Sequence, residues 1–332
     1  MECTVSVILP FFNAEKTLSQ AIESIVKQNY NNYELLLINN NSTDGSNKIA
    51  LEYEKKYPQI KLLHEKKQGV VFASKLGFAS SKGKYIARMD SDDIILGQRL
   101  LLQATFLDKN TNIQVVSSLV RYSSNFKNTQ GFERFVNWSN SIQSSSDIWQ
   151  NRFVEFPIVN PTLMFRREIA EKYGFYEHGD FPEDYEMFLR WAEKGVKFAK
   201  LPQILLQWND SQSRLTRTHK IYSIEKFYRI KIAYLANWLK ETGHTTIAIW
   251  GAGRKTRQRS QLIENYGITI DFYIDILPNK TSSKNCILYT EIPEAGKIFI
   301  VSFVSIEIAR NMIVSFLNSR NYQAEKHYIL AG

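Results

Sequence analysis

The chain has 332 residues, with 42 Lys+Arg against 33 Asp+Glu and a formal charge of +9. That length suits two domains, and no segment approaches the ~20 apolar residues of a bilayer span. The charge is not gathered into a basic tail and no nucleic-acid motif accompanies it, so we exclude nucleic acid; anionic lipids and nucleotide sugars are the partners left. Two cysteines, Cys3 and Cys286, and five scattered histidines give neither a disulfide framework nor zinc spacing, which fits a reducing cytoplasm.

Residues 5–9 form an apolar run of strand length stopped by Pro10, too short to read as a signal peptide. After Phe11, Phe12 and Asn13, helical periodicity runs over residues 14–26 through Leu18, Ala21, Ile22 and Ile25. A second strand over 33–38 enters the polar loop 39–46, which opens a helix over 47–57. A third strand, 60–64, leads through Gln68 and Gly69 into a helix over 70–79. A tight turn at Lys82-Gly83 then starts a fourth strand, 84–89. Strand and helix alternating in this way predict an α/β fold, a doubly wound, mostly parallel sheet with helices on its faces. Ligands of such sheets bind beyond the carboxyl ends of the strands. On that edge fall residues 10–13, 39–44, Gln68 and 90–93, which together predict a nucleotide site.

Directly after the fourth strand stand Asp90, Asp92 and Asp93. Three carboxylates at one strand end repel one another unless positive charge sits between them. Mg²⁺ or Mn²⁺ with oxygen ligands commonly supplies it and bridges such carboxylates to phosphates. The same residues also suit an acidic loop leading into a helix N-cap.

Five blocks, in order, resemble the inverting family 2 glycosyltransferases of the GT-A (nucleotide-diphospho-sugar transferase) fold. They are residues 5–15, 41–46, 82–86, 90–93, and a downstream pair, 160–167 with 183–190. The resemblance spans the first two thirds of the chain. It implies that Pro10 and Phe12 line a base pocket, with the ring packed on the nucleobase. It places Asn13, Glu15, Asn39, Asn41, Gln68 and Lys75 along the nucleotide sugar. Asp93 stands with them. Asp90 matches the position that helps hold ribose and metal, and Asp92 the main metal ligand, for Mn²⁺ or Mg²⁺. Glu183 and Asp184 match the catalytic pair whose Asp is general base on the acceptor hydroxyl. Inverting displacement needs one such base, and a cation to take up the diphosphate charge. The pair also follows Pro182 at the start of a predicted helix, where acids are ordinary.

The chain departs from the family in places. Asn39-Asn40 stand where two acids are usual, one of which accepts from the uracil imide; an Asn oxygen accepts the same bond without the charge. Ser74-Lys75 replace an Arg-Asn pair, and Asn160 replaces a His on the acceptor side. Residues 211–219 resemble the segment that closes over the donor, with Arg214, Arg217 and His219 equally eligible to reach the diphosphate. From 214 to 240, basic residues and the apolar Ile221, Ile224, Phe227, Ile230, Tyr234, Leu235 and Trp238 recur at helical spacing. This reads first as a helix packed between domains with solvated lysines outside, and second as a membrane-surface helix.

Beyond it the pattern restarts: strand 246–250, the turn Gly251-Ala252-Gly253, a helix over 255–266, and strand 268–274 ending in Asp275. Further strands are expected at 297–302 and 328–330, with a helix over 306–317. A G-x-G turn with an acid about 20 residues on is the dinucleotide pattern, although Thr256 stands where its third glycine belongs. The expected organisation is a GT-A domain over 1–220, a connecting basic amphipathic helix over 221–243, and a small half-Rossmann-like accessory module over 244–332. Gly251, Gly253 and Asp275 would hold a nucleotide there, or else serve helix–sheet packing only.

The expected protein is thus a cytoplasmic, metal-dependent glycosyltransferase at the inner face of the cell membrane. It would transfer a sugar from a nucleotide diphosphate, UDP first, to a surface-glycan or lipid-linked saccharide acceptor. A nucleotidyltransferase would carry a Gly-rich basic loop near the first strand, where this chain has Pro10-Phe11-Phe12-Asn13. A nucleotide-sensing binding protein would need no base.

Overall fold

The computed structural model describes residues 4–124, 126, 129–212, 214–277 and 285–332; Cys3 lies outside them. In chain order the first part contains β1 (Val5–Phe11), α1 (Leu18–Val26), β2 (Tyr33–Asn39), α2 (Ser46–Lys56), β3 (Ile60–His64), α3 (Val70–Ser80), β4 (Tyr85–Arg88) and β5 (Ile94–Ile95). It continues with α4 (Arg99–Lys109), β6 (Val115–Ser124), α5 (Gln130–Ser141), α6 (Ser145–Gln150), β7 (Met164–Arg166), α7 (Arg167–Tyr173), α8 (Glu183–Glu193), β8 (Phe198–Asp210) and the short α9 (Leu215–Thr218). The last part holds α10 (Ile224–Glu241), β9 (Thr246–Trp250), α11 (Arg254–Ser260), β10 (Thr269–Asp275), β11 (Cys286–Leu288), β12 (Phe299–Ser302), α12 (Glu307–Ser319) and β13 (Tyr328–Leu330).

Two compact units result, the first made of 1–148 with Ile158–Tyr222 and the second of Trp149–Pro157 with Ser223–Gly332. The first holds an eight-stranded sheet of order β3-β2-β1-β4-β7-β6-β8-β5. Its leading strands β3, β2, β1 and β4 are parallel, whereas β7 runs antiparallel to both β4 and β6, and β5 to β8. The sheet is therefore mixed. The antiparallel pairings all involve β5 or β7, which belong to no repeating βα pattern, while β6 and β8 run parallel. Every residue of β1 is buried, as expected of a parallel strand covered on both faces. Close packing of α3 onto β1 and β2 depends on Gly77, where a Cβ would stand 2.7 Å from Ile8 and 2.9 Å from Ile38.

Two expected boundaries moved. β1 continues through Pro10 to Phe11 because its pairing with β4 ends at Ile8–Arg88, so the missing proline N–H faces a place with no ladder partner. The first helix starts at Leu18 rather than at 14. Asn13 has φ +48°, and the Ala14 and Glu15 N–H groups donate to Ser46 Oγ and Asp44 Oδ2 across the neighbouring loop.

The second unit carries a separate all-parallel sheet of order β11-β10-β9-β12-β13. In both sheets the strand order reverses beside the first strand of the series, at β1/β4 and at β9/β12. Such switch points open a crevice at the carboxyl edge. α10 buries Tyr228, Ile232, Leu235, Ala236 and Leu239 and leaves Ile224 exposed. One expected solvated lysine is instead buried. Lys231 Nζ donates to the carbonyls of Val154 and Ala331, 2.9 Å each, which ties 149–157 and the chain end to this helix. Among the described residues no helix is long and apolar enough to cross a membrane.

Candidate active site

Beyond the ends of β1 and β2 the chain forms an interlocked rim. Phe12 is 50% exposed, a large ring with little cover, while Pro10 lies buried in β1. Asn13 Oδ1 accepts from Thr43 N–H at 2.8 Å and Glu15 Oε2 from Gly45 N–H at 2.8 Å, so both side chains pin the 42–46 loop. Asn39 is buried; its oxygen accepts from Ser42 N–H at 2.9 Å and its amide donates to Asn47 at 3.0 Å. A base contact would have to use the remaining lone pair of that oxygen. Asn40 ties the loop to the start of α3, donating to Glu65 and Lys67 carbonyls and accepting from Gly69 N–H. Asn41 donates to the Lys66 carbonyl and, with Gln68, sits at the exposed rim. Lys75 pairs with Glu177 at 3.1 Å on the surface.

Past β4, one carboxylate oxygen from each of Asp90, Asp92 and Asp93 lies within 4.8 Å of the others. Burial and the Asp90 charge push Asp92 up to about 6, and burial with both neighbouring acids raises Asp93 well above the usual carboxylate range. Asp93 Oδ1 accepts from Asn209 N–H at 2.8 Å, whereas its buried Oδ2 has no partner. Orphaned buried oxygen beside two further carboxylates is what a hard divalent cation would complete, so this donor set fits Mn²⁺ or Mg²⁺.

Asp90 is itself held by a buried arginine, Arg88, at 2.7 Å. The Arg88 charge is also felt at Glu183 and Asp184, and the Asp90 charge raises Asp184. The acid pair at the start of α8 therefore belongs to the same electrostatic cluster as the three aspartates. Burial, then the charge of Asp184, push Glu183 up to about 8; burial pushes Asp184 up to about 6, against a hydrogen bond from Tyr185 N–H at 2.7 Å. Asp184 lies the lower of the two and is the readier to ionise. Tyr222 meets both Glu183 oxygens, and Tyr176 donates to Asn160 at 2.8 Å.

Among the basic candidates, Arg217 is engaged by Asp210, and His219 packs edge-on against Tyr222. Arg214 stacks 4.0 Å over Trp208, and its charge reaches Asp92 and Asp93. Four residues that the sequence did not single out thus shape the site: Arg88, Asn209, Tyr176 and Tyr222. A charged residue inside the apolar run of β4 was the one available signal, for Arg88. The others act across 39 to 116 residues of chain, except Tyr176, whose partner is 16 away.

In the second unit Gly251 has φ +110°, and a Cβ there would lie 3.1 Å from Thr256 and 3.4 Å from Val304. Gly253 has φ −64° and open space around it. Asp275 Oδ2 accepts from Ala252 N–H at 2.9 Å and Oδ1 from Leu277 N–H at 3.2 Å, so this acid holds the turn itself.

Residues 6–174, more than half the chain, match the family Glycosyl transferase family 2. The chain belongs to that family. This family 2 glycosyltransferase is 31% identical over 226 residues to a protein of Bacillus subtilis named as a glycosyltransferase, EpsE, covering 67% of the chain and 78% of the relative. It is 28% identical to the amylovoran biosynthesis glycosyltransferase AmsE of Erwinia amylovora, covering 72% and 87%. Among solved structures it resembles S. aureus TarS (residues 1–349) in complex with UDP-GlcNAc, with a TM-score of 0.58 at 17% identity over 79% of this chain and 71% of that one. It also resembles the mannosyltransferase PcManGT of Pyrobaculum calidifontis in complex with GDP-Man and Mn²⁺, with a TM-score of 0.51 at 16% identity over 73% and 65%. At such identity the likeness speaks for the fold. The family 2 glycosyltransferase is an α/β protein with a GT-A-like mixed sheet and a second, all-parallel five-stranded sheet.

Proposed function

We propose that the protein is an inverting, metal-dependent hexosyl- or N-acetylhexosaminyl-transferase that uses a UDP-sugar. Its acceptor would be a hydroxyl of a surface glycan or lipid-linked saccharide, met at the cytoplasmic face of the membrane. The observation that carries this reading is the electrostatic union of the aspartate cluster with the Glu183–Asp184 pair through Arg88. Support for a nucleotide sugar comes from the structural relatives, seen with UDP-GlcNAc and with GDP-Man. Support for the glycan role comes from AmsE, named for amylovoran biosynthesis.

Phe12 offers an open aromatic face to the base, on the rim pinned by Asn13, Glu15 and Asn39. Asp92 and Asp90, with Asp93 behind them, would hold the cation. What Mn²⁺ or Mg²⁺ supplies when bound there is neutralisation of the diphosphate charge. Asp184 takes the proton of the acceptor hydroxyl. The oxygen so freed forms its bond to the anomeric carbon from the face opposite the diphosphate, whose bond to that carbon breaks. A positioned base of this kind contributes roughly 10²–10⁴ in rate.

The test is a screen of UDP-, GDP- and TDP-sugars with Mn²⁺ or Mg²⁺, following binding and slow donor hydrolysis. Asp92→Ala should lose cation-dependent binding; Asp184→Asn should keep binding and lose turnover. Absence of binding by every nucleotide sugar with either metal would overturn the reading.

A further inference from the structure

The Tyr222 hydroxyl lies 2.8 Å from one carboxyl oxygen of Glu183 and 2.9 Å from the other. A phenol has a single proton to give. Both short contacts become full hydrogen bonds when the carboxyl is neutral: the phenol donates to the C=O, and the acid O–H donates to the phenol oxygen. An ionised carboxylate would have to divide one proton between two oxygens. The surroundings favour the neutral form. Glu183 is 4% exposed, with Asp184 beside it.

The other groups facing the pair are accounted for. Arg88, at the end of β4, is paired with Asp90. Tyr176, between α7 and α8, donates to Asn160. Asp90 adds negative charge that raises Asp184. Burial and the Asp184 charge hold the Tyr222 proton in place well above neutrality.

We propose that Tyr222 is a positioning residue for the transfer reaction: by occupying both oxygens of Glu183 it keeps that carboxyl turned away from Asp184 and leaves Asp184 free to act as the base. This rests on the glycosyltransferase reading above. Without the phenol, the neutral Glu183 carboxyl must seek another acceptor inside the cluster. Asp184 is the nearest carboxylate in sequence, and a hydrogen bond donated to it would weaken it as a base.

Two measurements test the proposal. The first needs no substrate: infrared difference spectra of the intact protein, wild type minus Glu183→Gln. A neutral-carboxyl band at pH 7 that vanishes in Glu183→Gln is expected; no such band would overturn the proposal. The second uses hydrolysis of the nucleotide sugar found active in the donor screen. Glu183→Gln can keep both bonds to the phenol and should lose much less kcat than Asp184→Asn, whereas Tyr222→Phe should lose about tenfold or more with donor KM unchanged and the acid limb of its pH profile moved downward. An unaltered kcat and pH profile in Tyr222→Phe would overturn the proposal. A loss in Glu183→Gln equal to that in Asp184→Asn would overturn it while leaving the glycosyltransferase reading intact. Turnover by Asp184→Asn would overturn the base assignment and the proposal together. Should Tyr222→Phe fail to fold, the Glu183→Gln results decide alone.

Discussion

Arg88 Nη2 lies 2.7 Å from Asp90 Oδ1, and the arginine side chain is only 4% exposed. A buried guanidinium here lies beside both the aspartates and the acid pair, and its proton is held more tightly than usual because of Asp90 and its neighbours. The Arg99 guanidinium, also buried, braces it by donating to the Arg88 carbonyl at 2.9 Å.

Replacing Arg88 by Met should cost about 3 kcal/mol, because removing one partner strands the other charge. Part of that loss should return on adding Mn²⁺, since a ligand that binds the folded state alone stabilises it. Thermal melts with and without Mn²⁺ should therefore show a larger cation-induced rise in Tm for Arg88→Met than for wild type. Equal rises would mean that Arg88 and the cation do not share the aspartates.

The pH profile follows from Asp184. With its carboxyl near 6, kcat should climb with pH through about 6 and level off above it, as the base ionises. Stability should move the other way for Glu183. Its folded carboxyl sits near 8 against 4.5 when free, so its contribution is present below 4.5 and is lost as pH rises through about 8. Glu183→Gln should match wild-type stability at pH 4.5 and exceed it at pH 8.5, by chemical denaturation at each pH.

Phe12→Ala should weaken donor binding without unfolding the protein, because the ring is half exposed and covers little core. Base–aromatic stacking is worth roughly 1–3 kcal/mol, so calorimetry should find UDP binding weakened about 5- to 150-fold. A change under twofold would remove Phe12 from the base pocket.

The two glycines of the second unit should behave differently. Gly251→Ala forces a side chain into a φ of +110° and should destabilise by about 1–3 kcal/mol. Gly253→Ala has an ordinary φ and open space, and should be neutral or raise stability by up to ~1 kcal/mol. Denaturant melts of the two variants check this directly.

Legibility in the sequence differed between the two halves of the first sheet. The strands β1 to β4 each carry a full apolar run joined by a helical period, and their ends could be placed to within a few residues. β5 has two residues and β7 three, and they are strands only because β8 supplies hydrogen bonds to the first and β4 and β6 to the second. Side-chain roles divide in the same way. Asp92 and Asp184 stand out by residue type and spacing. The bond from Asn209 to Asp93 crosses 116 residues and leaves no local trace.

What the sequence by itself determined is local: apolar periodicity placed the early strands and helices, and five ordered blocks placed the carboxylates at strand and helix ends. The tertiary structure sets the two acids of the pair in different surroundings. Asp184 and Glu183 are neighbours of similar intrinsic acidity. They part because burial and the Asp184 charge raise Glu183, whereas the Tyr185 backbone N–H holds Asp184 lower. Burial is a property of folded space, which no spacing along the chain encodes.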